Sequence, residues 1–195
     1  MNDPKDQAAE DQSYLSRQFL IAMPGMGDPN FVNGVTLMCK HNEDGAIGIT
    51  INRPSTFTLL EVLRQLNIDC DDEDLGKTTV FEGGPVHPER GFVLHTPAQE
   101  YESSIAINDE IIVTTSRDVL ADIVAGSGPE KFIVALGYAG WDAGQLEHEI
   151  RENAWLNVDV ESSIVFDMPV KDRWEQAVGR LGIDFRNLHT DAGYA

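Results

Sequence analysis

Residues 132–150 read FIVALGYAGWDAGQLEHEI, and this stretch contains the clearest change of pattern in the chain. Residues 132–136 form a continuous apolar run, which is typical of a strand buried on both faces. Gly137, Gly140 and Gly144 then interrupt the apolar run before an amphipathic segment begins. We predict a strand that stops at the first glycine, a tight loop, and a helix.

The glycine-rich loop has two possible roles. Glycine leaves the backbone bare, so a ligand or a neighbouring segment can approach it closely. Tyr138 and Trp141 place two large rings beside this bare backbone. The stretch therefore fits either the lip of a pocket or a packing corner between a strand and a helix. Residue chemistry alone does not choose between them.

The net charge limits the partners that this protein can bind. The chain of 195 residues has 14 Lys and Arg against 33 Asp and Glu, which gives a formal charge of −19. A field of this sign repels nucleic-acid phosphates and anionic lipid, and the cations are scattered without a basic run. We expect a protein or small-molecule partner. We expect the protein to bind neither nucleic acid directly nor a membrane.

The chain length favours one domain with a short tail. Residues 1–13 contain four acidic residues and one lysine, and almost nothing apolar to bury, so we predict a disordered acidic tail. We predict a single domain over residues 14–195. Cys39 and Cys70 have no metal-ligand spacing, and the chain shows no leader or 18-residue apolar stretch. These features predict a cytoplasmic protein without a metal or a cofactor.

Local signals outside the glycine-rich stretch predict hairpins and amphipathic helices. Residues 34–41 and 46–52 flank a turn, as do residues 104–107 and 110–114. Thr58 and Glu61 have the spacing of a capping box that begins a helix. Further helices are predicted after Asp118 and after Pro169, and a short strand at 163–166. We therefore predict an α+β fold: a mixed, largely antiparallel sheet, curved or partly closed like a barrel, with about four covering helices.

Familiar catalytic motifs are absent, but polar residues cluster at predicted strand ends. The sequence contains no phosphate-binding glycine loop, no GxSxG elbow and no HExxH. Glu82 and His95 end neighbouring predicted strands, so they are weak candidates for general acid–base catalysis. The alternatives are that Glu82 and His95 form a buried hydrogen-bonded pair, or that Glu82 forms an ion pair with Arg53 or Arg90.

Several ordered motifs resemble the YqgE/AlgH family of bacterial proteins. The resemblance runs from about Phe19 to the C terminus, and rests on residues 19–26, 28–31, 41–48, 51–54, 83–86, 90–95, 137–141 and 144–147. It implies a compact α+β fold with a small closed or bifurcated sheet, a bacterial cytosol and no established activity. The family's link to transcriptional control of alginate synthesis in one lineage implies, at this charge, an indirect regulatory role.

We therefore expect a non-enzymatic binding or regulatory module. The candidate binding surface comprises Asn52, Arg53, Pro54, Glu82, Gly83, Gly84, Pro85, Arg90, Gly137, Tyr138, Gly140, Trp141 and Gln145. The alternatives are a hydrolase-like enzyme that uses Glu82 and His95, and an indirect transcriptional regulator. The binding-module hypothesis requires three corners of the chain, at 52–54, 82–85 and 137–145, to meet around one concave, partly apolar surface.

Overall fold

The computed structural model describes residues 15–23 and 25–182. The predicted acidic tail lies outside the described residues. Ten strands lie within the described residues: β1 Gln18–Ala22, β2 Val35–Asn42, β3 Gly45–Thr50, β4 Pro54–Thr58, β5 Thr79–Glu82, β6 Val86–His95, β7 Ser104–Ala106, β8 Ile112–Thr114, β9 Phe132–Asp142 and β10 Trp155–Asp159.

Six α-helices occur in the described part of the chain. They are α1 Leu59–Gln65, α2 Glu73–Gly76, α3 Asp118–Ala125, α4 Gln145–Arg151, α5 Ser162–Phe166 and α6 Arg173–Gly179, with a 3₁₀ turn at Val170–Asp172. None of the described helices is long and apolar enough to cross a lipid bilayer.

The strands form one curled, largely antiparallel sheet that resembles half a barrel, so the predicted α+β class is confirmed. The strand order is β10-β1-β2-β3-β9-β6-β8-β7, while β5 pairs with β4 and, in parallel, with β9. The predicted hairpins are confirmed as β2–β3 and β7–β8. The capping box is also confirmed, because the Thr58 backbone N–H donates to the Glu61 carboxylate at 2.7 Å.

Helices cover both faces of the sheet. α1 and α3 bury Leu59, Leu63 and Val119 against Val80 and Val134 of the sheet. α5 and α6 cover the largest cluster, which includes Phe19, Leu37, Ile49, Trp174 and Val178. α4 closes a third cluster, in which its Leu146 packs with Trp141 of β9 and Trp155 of β10. The apolar side chains therefore hold the curled sheet between these layers, as the hydrophobic effect requires.

The predicted end of the central strand at Gly137 is wrong. β9 continues through Gly137 and Gly140 to Asp142. Gly137 has a φ of +71°, and an added Cβ would overlap the Gly84 carbonyl oxygen. The glycine thus marks a change of partner within the strand rather than its end: β5 pairs with residues 134–136, and β3 pairs with residues 139–142.

The 163–166 segment is also a correction, because it forms helix α5 instead of a strand. A segment of four residues, three of them apolar, is too short to separate a helix from a strand by periodicity. Burial of Ile164 and Val165 beside α6 decides the outcome. Two edge elements, β4 and β10, were not predicted, since the first begins at a proline and the second follows directly on a helix.

The ends of β3 and β5 meet β9 at the point where β9 changes its pairing strand. We call this point the glycine junction, and it comprises Gly83, Gly84 and Gly137. The Gly83 N–H donates to the Leu136 carbonyl at 2.7 Å, and the Gly83 carbonyl accepts the Thr50 N–H at 2.8 Å. Gly83 thereby joins the ends of β3 and β5 to β9. An added Cβ on Gly84 would overlap the Tyr138 backbone, so this approach requires glycine.

Replacing Gly137 with alanine is expected to lower the free energy of unfolding by about 2 kcal/mol or more, because positive φ and backbone overlap both penalise a Cβ. Urea denaturation measures this loss. Gly179→Ala is the matched control, because a Cβ there meets nothing within 4 Å. Equal stability of the two variants would contradict the role assigned to the junction.

Candidate functional site

Two of the three predicted corners meet at one cavity. The cavity has a volume of about 200 Å³, and we call it the Arg53 cavity. It is lined by Asn30, Arg53, Ser55, Phe57, Glu82, Gly84, Pro85, Pro88 and Leu136. The corners are held together by the Glu82 N–H, which donates to the Arg53 carbonyl at 2.8 Å. This hydrogen bond lies beside the glycine junction, where Gly83 bonds Leu136, so both corners are fixed to β9.

The rim of the cavity is a loop that the first corner holds in place. The Arg53 guanidinium donates to the Pro29 carbonyl at 2.7 Å and to the Val32 carbonyl at 3.3 Å. Asn52 donates to the Asn33 carbonyl at 2.8 Å and accepts the Val35 N–H at 2.8 Å. Four side-chain hydrogen bonds therefore position residues 29–35, which include the cavity residue Asn30.

The charges at the cavity are not neutralised by ion pairs within the described residues. Arg53 forms hydrogen bonds with carbonyl oxygens only, and Glu82 is exposed without an ion-pair partner in residues 15–23 and 25–182. The predicted ion pair between Glu82 and Arg53 or Arg90 does not form there. Both charges are therefore available to a bound group.

A second arginine lies beneath the two corners. Arg173 is buried, donates to the carbonyls of Ile51 and Met168, and lies 5.1 Å from the centre of the Phe81 ring. Burial lowers the pKa of Arg173 to about 10, so it remains charged at neutral pH. Arg173 thus contacts the residue immediately before each corner, through the Ile51 carbonyl and the Phe81 ring, and its charge adds positive potential behind the cavity.

The residues of the third corner do not line the Arg53 cavity and lie at several separate places. Gly137 contributes its backbone to the glycine junction. Tyr138 turns away to a separate opening, where Arg90 also lies, and packs edge-on against Phe92 at 5.9 Å. Gly140 is exposed and pairs with Ile47 of β3. The three corners therefore do not line one continuous surface.

Trp141 and Gln145 belong to a network centred on Glu149. The indole N–H groups of Trp141 and Trp155 donate to the same Glu149 oxygen at 2.9 and 2.8 Å. Gln145 donates to the other Glu149 oxygen at 2.9 Å. Phe31 packs against both indoles, so this network anchors the loop that forms the cavity rim. Trp141 is thus a buried support and not a pocket lip.

Glu82 and His95 are not brought together. Glu82 lies opposite Leu136 on the β5 side of β9, and His95 lies opposite Phe132 on the β6 side. Four residues along a strand span about 13 Å. The His95 Nδ1–H donates to the Thr96 carbonyl at 2.8 Å, and its Nε2 accepts from the Thr114 hydroxyl at 2.8 Å. His95 is therefore buried and hydrogen-bonded without Glu82, so the predicted buried pair does not form, and the geometry does not favour acid–base catalysis by the two residues.

Sequence reasoning missed the apolar part of the cavity. Phe57 is 45% exposed and lies on the unpredicted edge strand β4. Asn30, Ser55, Pro88 and Leu136 were not predicted either, although the Asp28-Pro29-Asn30-Phe31 motif was available as a signal for the rim. No group of three or more His, Cys, Asp or Glu side chains in the described part of the chain could hold a metal ion.

The chain is an α+β protein with a curled half-barrel sheet, and its similarity to known proteins identifies its family. The AlgH-like family model matches residues 19–186. The chain therefore belongs to the AlgH-like family.

Bacterial relatives are similar to this chain along nearly their whole length. The chain is 49% identical over 181 residues to a UPF0301 protein of Xanthomonas oryzae pv. oryzae, covering 93% of this chain and 96% of the relative. It is 48% identical, with the same coverage, to a UPF0301 protein of Methylococcus capsulatus.

Two solved structures share the fold. The solution structure of the AlgH protein from Pseudomonas aeruginosa has a TM-score of 0.78 and 44% identity, covering 100% of this chain and 99% of that one. A crystal structure of a Corynebacterium diphtheriae protein has a TM-score of 0.71 at 18% identity, covering 90% and 92%, and so shows the fold alone.

The buried imidazole of His95 makes a testable contribution to pH-dependent stability. Burial lowers the pKa of His95 below its usual 6.5, so the unfolded chain takes up this proton at a higher pH than the folded protein. Stability should therefore fall as the pH drops from about 6.5 through the folded pKa, by at most about 1.4 kcal/mol per pH unit. His95→Gln should reduce this slope in urea denaturation series between pH 7 and 5. Identical slopes would contradict the assignment.

Proposed function

We propose that this protein is a non-enzymatic binding module that recognises an exposed segment of a partner protein at the Arg53 cavity. The observation that carries the proposal is the meeting of the 52–54 and 82–85 corners around the half-exposed ring of Phe57. A regulatory role would follow from that binding and would act indirectly on gene expression, through the partner.

The size of the cavity favours a protein segment over a free small molecule. Pockets for small ligands usually enclose about 300–1,000 Å³. The Arg53 cavity, at about 200 Å³, has room for only one or two side chains. A protein partner can fill such a cavity with an anchoring residue while the rest of its contact lies on the surrounding surface.

The chemistry of the lining indicates what that anchoring segment should carry. Phe57, Pro85 and Pro88 supply rigid apolar surface, which suits an apolar side chain. The Arg53 guanidinium suits a carboxylate or a backbone carbonyl, and the Glu82 carboxylate suits an N–H donor. An extended peptide offers all three kinds of group. Because the whole protein carries a charge of −19, this recognition depends on local contacts rather than on long-range attraction.

The rigid rim supports binding without a large conformational change. The 29–35 loop is held by hydrogen bonds from Asn52 and Arg53, and by the packing of its own Phe31 against Trp155. Because the loop is already ordered by these contacts, little ordering free energy is lost when a partner docks. A catalytic role has no comparable support, because Glu82 and His95 lie on opposite sides of β9.

Removing the exposed ring should abolish capture of the partner. Immobilised wild-type protein is incubated at low salt with nuclease-treated cytosol of a bacterium that encodes it. We expect the wild type to retain a defined protein, and we expect Phe57→Ser not to retain it. Quantitative mass spectrometry of the eluates measures the ratio, which we expect to fall at least tenfold, the loss that corresponds to about 1.4 kcal/mol.

Ile105→Ser is the matched control, because Ile105 is 53% exposed and lies on β7, away from the cavity lining. This variant should retain the partner as the wild type does. Equal capture by wild type and Phe57→Ser, or capture of nothing by the wild type, would contradict the proposed function.

A further inference from the structure

A second concave surface lies in the curled sheet, away from the Arg53 cavity. It crosses the strands from β2 to β7 and has a volume of about 390 Å³; we call it the sheet trough. Ile47, Phe92, Ile105 and Tyr138 supply apolar surface there, and Lys40 and Arg90 line the same opening. None of these residues lines the Arg53 cavity, so the two surfaces can be tested separately.

The trough exposes two large apolar side chains, Ile47 and Ile105. Ile47 is 37% and Ile105 is 53% exposed, and both rank among the few large hydrophobic side chains exposed in the described residues. Both lie in the same opening, beside the half-buried ring of Tyr138. A contiguous exposed apolar patch on a folded protein commonly marks a binding surface.

The charge of the trough is opposite to that of the whole protein. Lys40 and Arg90 line it together with one carboxylate, that of Glu102, whereas acids outnumber bases 33 to 14 over the chain. Within residues 15–23 and 25–182, neither Lys40 nor Arg90 forms an ion pair. The Arg90 guanidinium lies 5.5 Å from the Phe92 ring centre, and that stacking holds the charge beside apolar surface. The trough is therefore complementary to a group with an apolar body and a negative charge.

The dimensions favour a small molecule. A volume of about 390 Å³ falls within the range of about 300–1,000 Å³ that small-ligand pockets occupy.

Covalent attachment through the neighbouring thiol is not favoured, because burial raises the pKa of Cys39 to about 12 and the reactive thiolate is absent at neutral pH.

We propose that the sheet trough binds a small apolar carboxylate, with its apolar body on Ile47, Ile105 and Tyr138 and its carboxylate near Lys40 and Arg90. Charge-assisted hydrogen bonds from lysine and arginine are the strong kind, and a carboxylate can accept from both. The apolar body covers the two exposed isoleucines, which accounts for a surface that the fold itself leaves uncovered.

Isothermal titration calorimetry of the full chain with decanoate, below its micellar concentration, tests the proposal. We expect saturable binding with one molecule per chain. The double variant Lys40→Gln/Arg90→Gln should weaken binding at least tenfold, since it removes both cations, and Ile105→Ser should weaken it severalfold by removing apolar contact. Circular dichroism checks that these exposed substitutions leave the fold intact.

Two controls separate the trough from the Arg53 cavity and from nonspecific apolar binding. Phe57→Ser should bind decanoate as the wild type does, and decylammonium should bind at least tenfold more weakly than decanoate. Absence of saturable decanoate binding, equal binding of decylammonium, or unchanged binding in Lys40→Gln/Arg90→Gln would overturn the proposal. Because Phe57→Ser probes only the proposed protein-binding site, failure of one proposal leaves the other measurable.

Discussion

The close approach of three backbone segments at the glycine junction is the constraint on which the rest of this structure depends. β9 pairs with β5 through its first half and with β3 through its second half, while β6 follows its other edge. Such a branch requires the chain leaving β5 to cross β9 closely enough to hydrogen-bond both Leu136 and Thr50. Only residues without a Cβ fit at Gly84 and Gly137. The absence of side chains there serves the protein's own packing, and the ligand-accessible surface lies beside it.

The position of the Arg53 cavity follows from this branch. Arg53 follows the end of β3, and Glu82 is the last residue of β5, so both lie beside the junction. A backbone hydrogen bond keeps them adjacent. Arg173 fills the space beneath them with a buried charge that donates to backbone carbonyls. On the outer side, the network of Glu149 with two indoles anchors Phe31 and thereby the rim. Residues distant in sequence thus hold a small polar and apolar surface in one arrangement.

The parts of the fold that depend on near neighbours could be predicted from sequence. The β2–β3 hairpin, the Thr58 capping box and the helix that ends at Gly126 each need only local chemistry. The continuation of β9 through Gly137 could not be predicted, since it depends on Gly84, which lies more than fifty residues earlier in the chain. Helix α5 was mistaken for a strand because burial against α6, rather than periodicity, determines its conformation.

The candidate site divides in the same way. Polar residues at strand ends identified Arg53 and Glu82, but the partner of each was predictable only after the strands were paired. Phe57 was missed because it lies on an edge strand whose pairing with β5 is remote in sequence. Trp141 was a candidate for either a pocket lip or a packing corner, and its burial and its hydrogen bond to Glu149 show the packing role. The single domain, the cytoplasmic location and the partner class stay predictions.

Native-state hydrogen exchange measured by NMR tests the central role of the junction most directly. The amides to follow are Thr50, Glu82 and Gly83, whose N–H groups donate to Gly83, Arg53 and Leu136 respectively. If the junction unites the two halves of the sheet, all three amides should exchange only through global unfolding, with the free energy of the most protected core amides. Exchange of these three amides through local opening, while the interior of β9 stays protected, would contradict this account.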